Sequence, residues 1–479
     1  MIEILRKNYE ELKLKALKAF QSENLEESLY YTFLASTFAW FYHFDIWFDE
    51  EIEELLEKIG KKLIFIKNIK KKLKEKKDSE NILFITTFLT DIGGHTEALK
   101  LWVKILAKEI KALYIISTET LFKSKKTEIA IFLKKYAQLK FLSKKEKYIN
   151  KILELINIIL KISPKYIVLF INPNDVIAIS AISALKSILK FKVVFFNHAD
   201  HVFWLGRNII DILVEFRDYS ISVSKIKRNF SKKHLVIPLT TDIYTRNNFK
   251  KSNKNFCKEN KTISISIGSS WKLISDGYWD YFKVIKEILQ QNSNHMRFLI
   301  INRPTNFIKN KIKLFSPEIK KRIKFIPGTS DPLPYYKIAD FLIETFPVIG
   351  GTVRVEAMAL GLPIIFIQNK FSGFFSITNA LPEKYPFIAK SNEDVINYAN
   401  LLINNKNLRL DLSKFLQSYF FKKFSIEKIS ETLKDLFRMK KIKKISENKS
   451  FKINFSTNIL ESTDYLLKFD ILTRFLKGL

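Results

Sequence analysis

Glycine is scarce in this chain, 12 residues among 479, so where it falls carries information. Gly93-Gly94-His95 closely follows the apolar run 82–87 and opens a helical pattern. Gly268 ends the run 263–267, while Gly350-Gly351 and Gly361 bracket a short helical stretch between two later runs. Several glycines thus sit at strand-to-helix turns, where the backbone can approach a ligand and a helix N-terminus offers free N–H groups and positive potential. Anions, phosphates above all, bind in such places. The sharpest stretch is 343–363, which reads strand, Gly-Gly-Thr turn, helix, Gly-Leu-Pro stop, next strand. Gly350, Gly351 and Thr352 can present N–H and hydroxyl donors to a diphosphate. Glu356 lies about one helical turn past Thr352, where a carboxylate could accept ribose hydroxyls. A tight turn with a structural glutamate has the same spacing, and spacing alone leaves both readings open.

Two histidine-bearing stretches follow other apolar runs. One is Thr90-Asp91-Ile92-Gly93-Gly94-His95, the other Asn197-His198-Ala199-Asp200-His201. The second grouping invites a metal reading, but no third protein ligand follows at a convincing spacing. A loop lining a cleft and purely structural histidines are the other readings.

The elements that must position these residues follow from the pattern of the chain. Hydrophobic residues make up 47% and charged residues 27%, which allows large cores and excludes wholesale disorder. Residues 1–77 read as helices only, with Leu12, Ala16, Ala19 and Phe20 forming one amphipathic stripe. From residue 81 short apolar runs alternate with helical spacing: 82–85, 113–116, 167–171, 193–196, 220–223 and 235–237 are strand candidates. After a polar stretch at 245–261 the alternation resumes with 263–267, 298–301, 323–326, 341–343 and 364–367. Strands alternating with helices mean βαβ units and a mostly parallel sheet. The expectation is an α/β protein of two doubly wound, Rossmann-like domains facing a cleft, behind an all-helical layer. Its parts are a helical region 1–77, a domain 78–240, a domain 241–438 and a basic, helical tail 439–479.

Lys and Arg number 81 against 49 Asp and Glu, a formal charge of +32. An acidic partner such as nucleic acid, anionic membrane or phosphorylated substrate would account for this, and so would the coding bias that enriches Lys, Ile, Asn and Phe together. Cys257 is the one cysteine, so no disulfide framework or cysteine zinc cluster is available. The N-terminus reaches charge at once, and the most apolar stretch, 166–185, is broken by Asn172, Pro173, Asn174 and Asp175. It falls short of the roughly 20 uninterrupted apolar residues of a membrane helix. A cytoplasmic protein is expected, with the basic runs 67–77 and 438–444 offering weak contact to the anionic inner face of a membrane.

The 343–363 stretch resembles the nucleotide-sugar site of GT-B glycosyltransferases, in detail the O-linked N-acetylglucosamine transferase group and its bacterial relatives. That group shows acidic-Thr-x-Pro, then Gly-x-Thr-Thr, an acidic residue and Gly-x-Pro. Here these are Glu344-Thr345-Phe346-Pro347, Gly350-Gly351-Thr352-Val353, Glu356 and Gly361-Leu362-Pro363, with Val353 replacing the second threonine. Retaining GT-B enzymes carry a spaced glutamate pair; Glu356 can be the second, but Val348 stands at the first position. The loop Gly268-Ser269-Ser270-Trp271-Lys272 is similar to the one whose lysine holds the donor diphosphate, and Lys272 matches that lysine. A fixed cation there would stabilise charge building on the leaving diphosphate.

The stretch 88–97 looks like the first βα loop of these enzymes. The resemblance implies for His95 either a general base or a diphosphate contact, with Asp91 the rival base and Gly93 and Gly94 near the donor. It makes His198, Asp200 and His201 candidates for the acceptor side. The expected activity is a hexosyltransferase that moves a sugar from a nucleotide sugar, UDP favoured, to a protein, lipid-linked or polysaccharide acceptor, with inversion. No metal and no cofactor are expected, the nucleotide sugar being a substrate. A GT-B-fold nucleotide-sugar epimerase is the nearest alternative. A basic nucleic-acid-binding protein is a remoter one, since the lysines are spread along the chain and no nucleic-acid module is recognisable.

Overall fold

The computed structural model describes residues 2–42, 44–67, 79–91, 93–110, 112–118, 127–143, 146–245, 261–301, 306–368, 382 and 384–438. The chain divides into two units, Met1–Ile237 together with the chain from Thr432, and Pro238–Glu431. The first unit opens with α1 (Ile2–Gln21), α2 (Leu25–Phe41) and α3 (Glu50–Ile66). Asn24 and Asp49 start α2 and α3 by accepting the N–H groups of Glu27 and Ile52. Then follow β1 (Ile82–Thr86), α4 (Gly94–Leu106), β2 (Leu113–Ser117), α5 (Glu128–Leu133), β3 (Gln138–Phe141), α6 (Tyr148–Ile162), β4 (Tyr166–Phe170), α7 (Val176–Lys186), β5 (Lys192–Asn197), β6 (Ile212–Glu215), α8 (Asp218–Lys227) and β7 (Lys233–Val236).

The strands make one parallel sheet in the order β3-β2-β1-β4-β5-β6-β7. β1 and β4 at its centre are buried along their whole length, the continuous apolar runs of a sheet covered on both faces. β3 lies at the edge and exposes Gln138 and Lys140, which discourages pairing with another chain.

The helices ahead of the sheet share its core. Side chains of α1, α2 and α3 belong to the same buried cluster as those of α6, α7 and the strands. α7 is buried from Val176 to Leu185, and α3 runs against it at Gly60. A Cβ built on Gly60 would lie 2.3 Å from the carbonyl oxygen of Ser180 and 2.9 Å from the Cβ of Ala184. Gly60→Ala must therefore push the two helices apart, and a loss of about 1–3 kcal/mol is expected. Its denaturant midpoint checks this; a wild-type midpoint would mean that α3 backs away without cost.

Polar ties complete the attachment. Glu26 of α2 accepts the N–H groups of Tyr148 and Ile149 at the start of α6, at 2.7 and 3.0 Å. Buried Glu53 of α3 accepts those of Gly206 and Arg207 at 2.5 and 3.2 Å. Desolvation raises the Glu53 carboxyl to about 7 against the pull of these donors.

One strand expectation is overturned. Residues 220–223 lie in α8, and the strand of that region is β6. The Ser-Ile-Ser-Val alternation reads as period two, but the helix is selected by its tertiary partners. Ser220 donates to Asp200, and Ser224, one turn on, donates to Glu215 at 2.7 Å.

The second unit holds β8 (Thr262–Gly268), α9 (Tyr281–Gln291), β9 (His295–Ile301), α10 (Asn306–Lys313), α11 (Pro317–Lys321), β10 (Ile323–Pro327), α12 (Leu333–Ile338), β11 (Phe341–Ile343), α13 (Gly351–Ala359), β12 (Ile364–Ile367), β13 (Ile388–Ala389), α14 (Asn392–Asn404) and α15 (Lys406–Lys423). Its sheet is parallel, in the order β10-β9-β8-β11-β12-β13. Gly361 stops α13 in the left-handed region at φ +67°, a backbone conformation glycine adopts without strain.

The last described helix, α16 (Ile426–Arg438), begins in the second unit and ends in the first. There Phe437 meets Tyr166 edge-on at 5.1 Å, and Lys434 and Arg438 pair with Glu109. None of the described helices is long and apolar enough to cross a membrane. The basic runs at 67–77 and 438–444, apart from Lys67 and Arg438, and the rest of the expected tail 439–479 lie outside the described residues.

Candidate functional site

In the second unit the strand order reverses between β8 and β11, and the carboxyl ends of strands at such a switch point are where open α/β sheets bind ligands. Apart from Gly93 and Gly94, which belong to the first unit, the expected donor residues lie on the loops after these two strands and the helix that follows. β8 passes through Gly268 and Ser269 into a tight helical turn, Ser270–Leu273, that carries Lys272. β11 passes through residues 344–350 into α13, whose N-cap is Gly350.

The two loops meet closely. A Cβ on Gly268 would lie 2.9 Å from Cγ2 of Thr345, and the Lys272 ammonium donates to the carbonyl of Ile349 at 3.1 Å. Desolvation pulls the Lys272 pKa down to about 8, the nearby Glu344 opposing it. A poorly hydrated ammonium beside the first turn of a helix is an arrangement that favours an anion.

The β11 loop is fixed from beneath. Glu344 is buried and forms a two-pronged pair with the guanidinium of Arg354 on α13, at 2.6 and 2.8 Å. Glu344 also accepts the N–H of Ile367 at the end of β12, at 2.9 Å. Thr345 turns its hydroxyl to the carbonyl of Val348 at 2.7 Å, closing the loop on itself. Gly351, Thr352 and Glu356 are half-buried on the first turns of α13. The buried phenol of Tyr336 donates to Oε2 of Glu356 at 2.9 Å. Neither Arg354 nor Tyr336 was among the residues singled out from sequence. The sequence does carry a signal for Arg354: an arginine on a helix that, apart from Glu356, holds only small or apolar residues, one turn from a candidate phosphate loop.

Gly350 separates fold from ligand. Its φ is −108°, and a Cβ there would meet the Lys272 ammonium at 3.6 Å and Val353 at 3.7 Å, ordinary contacts. The protein itself therefore accepts alanine at this position. Gly350→Ala should melt as the wild type does, yet bind a nucleoside diphosphate about tenfold or more weakly, since the methyl stands where an anion would approach the ammonium. Equal affinity in the variant would move the anion site elsewhere.

In the first unit the strand order reverses between β1 and β4. Gly93 and Gly94 lead from the β1 loop into α4, with His95 on its first turn. The His95 ring stacks on His198, just past the end of β5, with centroids 5.2 Å apart, and meets Phe88 edge-on at 5.7 Å. Two histidines from separate loops are thereby brought together. Burial lowers His95 to about 4 and His198 to about 3, so both are neutral at neutral pH.

Asp91 accepts the N–H of Ile129 in the first turn of α5 at 3.0 Å. Asp200 is buried. It is 1% exposed and accepts from the Arg217 guanidinium, Ser220 and His201. Burial works to raise its pKa, but Arg217 and His201 hold it well below the usual carboxylate range. In this arrangement Asp200 braces the loop from inside, and His201 packs on Asp200. Of that grouping, His198 meets the candidate base. Beneath the β1 loop lies a buried network that sequence reading missed, in which Asp175 accepts from Thr87 and Thr118 at 2.7 Å each and caps α7. Among the described residues no three His, Cys, Asp or Glu side chains are grouped so as to hold a metal ion.

Neither a protein-family model nor any curated protein sequence matches the chain. Solved structures do. A glycosyltransferase from Rickettsia africae ESF-5 superposes with a TM-score of 0.59 at 14% identity, over 76% of this chain and 99% of that one. Anabaena HepE, in complex with UDP and glucose, gives 0.56 at 13% identity over 75% and 100%. The Thermobaculum terrenum O-GlcNAc transferase, a mutant form, gives 0.53 at 12% identity over 88% and 81%. With its two parallel sheets of seven and six strands, the chain has the two-domain α/β GT-B fold of these glycosyltransferases.

Proposed function

We propose that the protein is a glycosyltransferase that moves a sugar from a nucleotide sugar, a UDP-sugar foremost, to an acceptor hydroxyl or amide. The observation that carries this reading is the Lys272 ammonium set against the Gly350 end of α13, at the point where the second sheet reverses its order. Support for UDP comes from HepE, whose structures hold UDP with glucose and UDP-glucose.

In this reading the backbone N–H groups at Gly351 and Thr352 and the Lys272 ammonium hold the diphosphate. They gain strength as charge builds on it during cleavage of the sugar–phosphate bond. Glu356 accepts the ribose hydroxyls. His95 serves in this reading as the general base that takes the proton as the acceptor oxygen or nitrogen attacks the anomeric carbon. One such displacement inverts that carbon. Ser269 and Ser270 line the lysine turn, and His198 backs the base. The acceptor is a protein side chain, a lipid-linked sugar or a growing polysaccharide.

Calorimetric titration with UDP-, GDP- and CMP-sugars tests the assignment. Binding of one class, with little turnover of donor alone, is expected. Absence of binding by all of them would sink the reading, and rapid conversion of donor alone would replace transfer by epimerisation.

A further inference from the structure

We propose that Tyr336 is a positioning residue for Glu356, so that preference for a ribonucleotide over a deoxyribonucleotide runs through a buried phenol on a different helix. This rests on the donor reading above and adds to it the residue that makes the ribose contact selective.

Tyr336 lies on α12, is 3% exposed, and bridges two places on α13 through one hydroxyl. Oε2 of Glu356 is at 2.9 Å and the carbonyl of Val353 at 3.3 Å. Burial, with Glu356 beside it, holds the phenol pKa well above its ordinary value, so the group stays a hydrogen-bond donor throughout the pH range in which enzymes work. Glu356 itself is half-buried, on the helix face it shares with Thr352. Ordering a carboxylate only when the ligand arrives weakens binding. The hydrogen bond from the phenol helps to hold the carboxylate in place once the protein has folded. The carboxylate then meets a vicinal diol ready aligned, while a deoxyribose leaves it facing a missing donor.

A phenol that merely packed would make a different prediction: removing its hydroxyl would change stability and leave ligand choice alone. Calorimetric titration of UDP, 2′-deoxy-UDP and 3′-deoxy-UDP into wild type, Tyr336→Phe and Glu356→Asp separates the two. Wild type is expected to favour UDP over at least one deoxy analogue. Tyr336→Phe should bind UDP about three- to tenfold more weakly, the worth of one aligned hydrogen bond, with the deoxy affinities unchanged. Glu356→Asp keeps the charge but falls short of the phenol, and should lose the same preference even if Tyr336→Phe proves unstable. A wild-type ratio in either folded variant overturns the proposal, as does a wild type that does not distinguish the sugars. Failure of UDP and of both analogues to bind wild type would instead bring down the donor reading, and this proposal with it.

Discussion

Lys272→Ala is expected to lower turnover by ~10²-fold or more while leaving the protein folded. The ammonium is held by the Ile349 carbonyl beside the first turn of α13, poorly hydrated. A charge kept from water costs stability in the free protein and interacts strongly with an anion that arrives there. Loss of activity and gain of stability should therefore come from the same substitution.

The pH dependence has a definite sign. The folded-state pKa of about 8 lies below the ordinary 10.5, so between these values the unfolded chain binds more protons than the folded one. Wild-type stability carries a rising contribution from this group across that window, with the cost fully present below pH 8. Lys272→Ala should lack the increment. Denaturant titrations at pH 7.5 and 10, with kcat at neutral pH, read both effects. Wild-type turnover in the variant would mean that the lysine turn has been misassigned.

The other large effect is structural. Arg354→Met should destabilise the second unit by about 3–5 kcal/mol, because it leaves Glu344 charged, buried and stripped of its partner. Glu344→Leu combined with Arg354→Met removes both charges and should recover much of that loss, although the Ile367 N–H then goes unpaired. Urea titrations of the single and double variants decide. A single variant within 1 kcal/mol of wild type would show that the pair is dispensable. In the double variant the 345–351 loop should hold a nucleotide less well than its restored stability suggests, because the pair joins β11, α13 and β12 at the foot of that loop.

What could be read without coordinates follows from what is local. β1, β4, β12 and the 193–196 stretch of β5 announce themselves because a strand buried on both faces is a nearly continuous apolar run. The turns after β1, β8 and β11 stand out because glycine is rare enough here to mark them. The fold class followed from that alternation. Partnerships did not. His95 and His198 belong to loops far apart in the chain, and nothing in either stretch announces a stacked pair. Asp200 and His201 are neighbours in the sequence and partners in the fold, whereas Arg217 and Ser220 reach Asp200 only through the fold. The same blindness turned 220–223 into a strand: the serines that select α8 do so through carboxylates elsewhere in the first unit.

The last described helix also bears on how the chain is made. The first unit is discontinuous: it breaks off at Ile237 and resumes only at Thr432. The second unit is one uninterrupted segment between those points. As the polypeptide leaves the ribosome, the first unit emerges early but without Phe437 to cover Tyr166 at the start of β4, and without Lys434 and Arg438 to answer Glu109. The second unit has all its own residues once Glu431 has been added. Vectorial synthesis thus inverts the reading order, and the portion made first is the one that is sealed last.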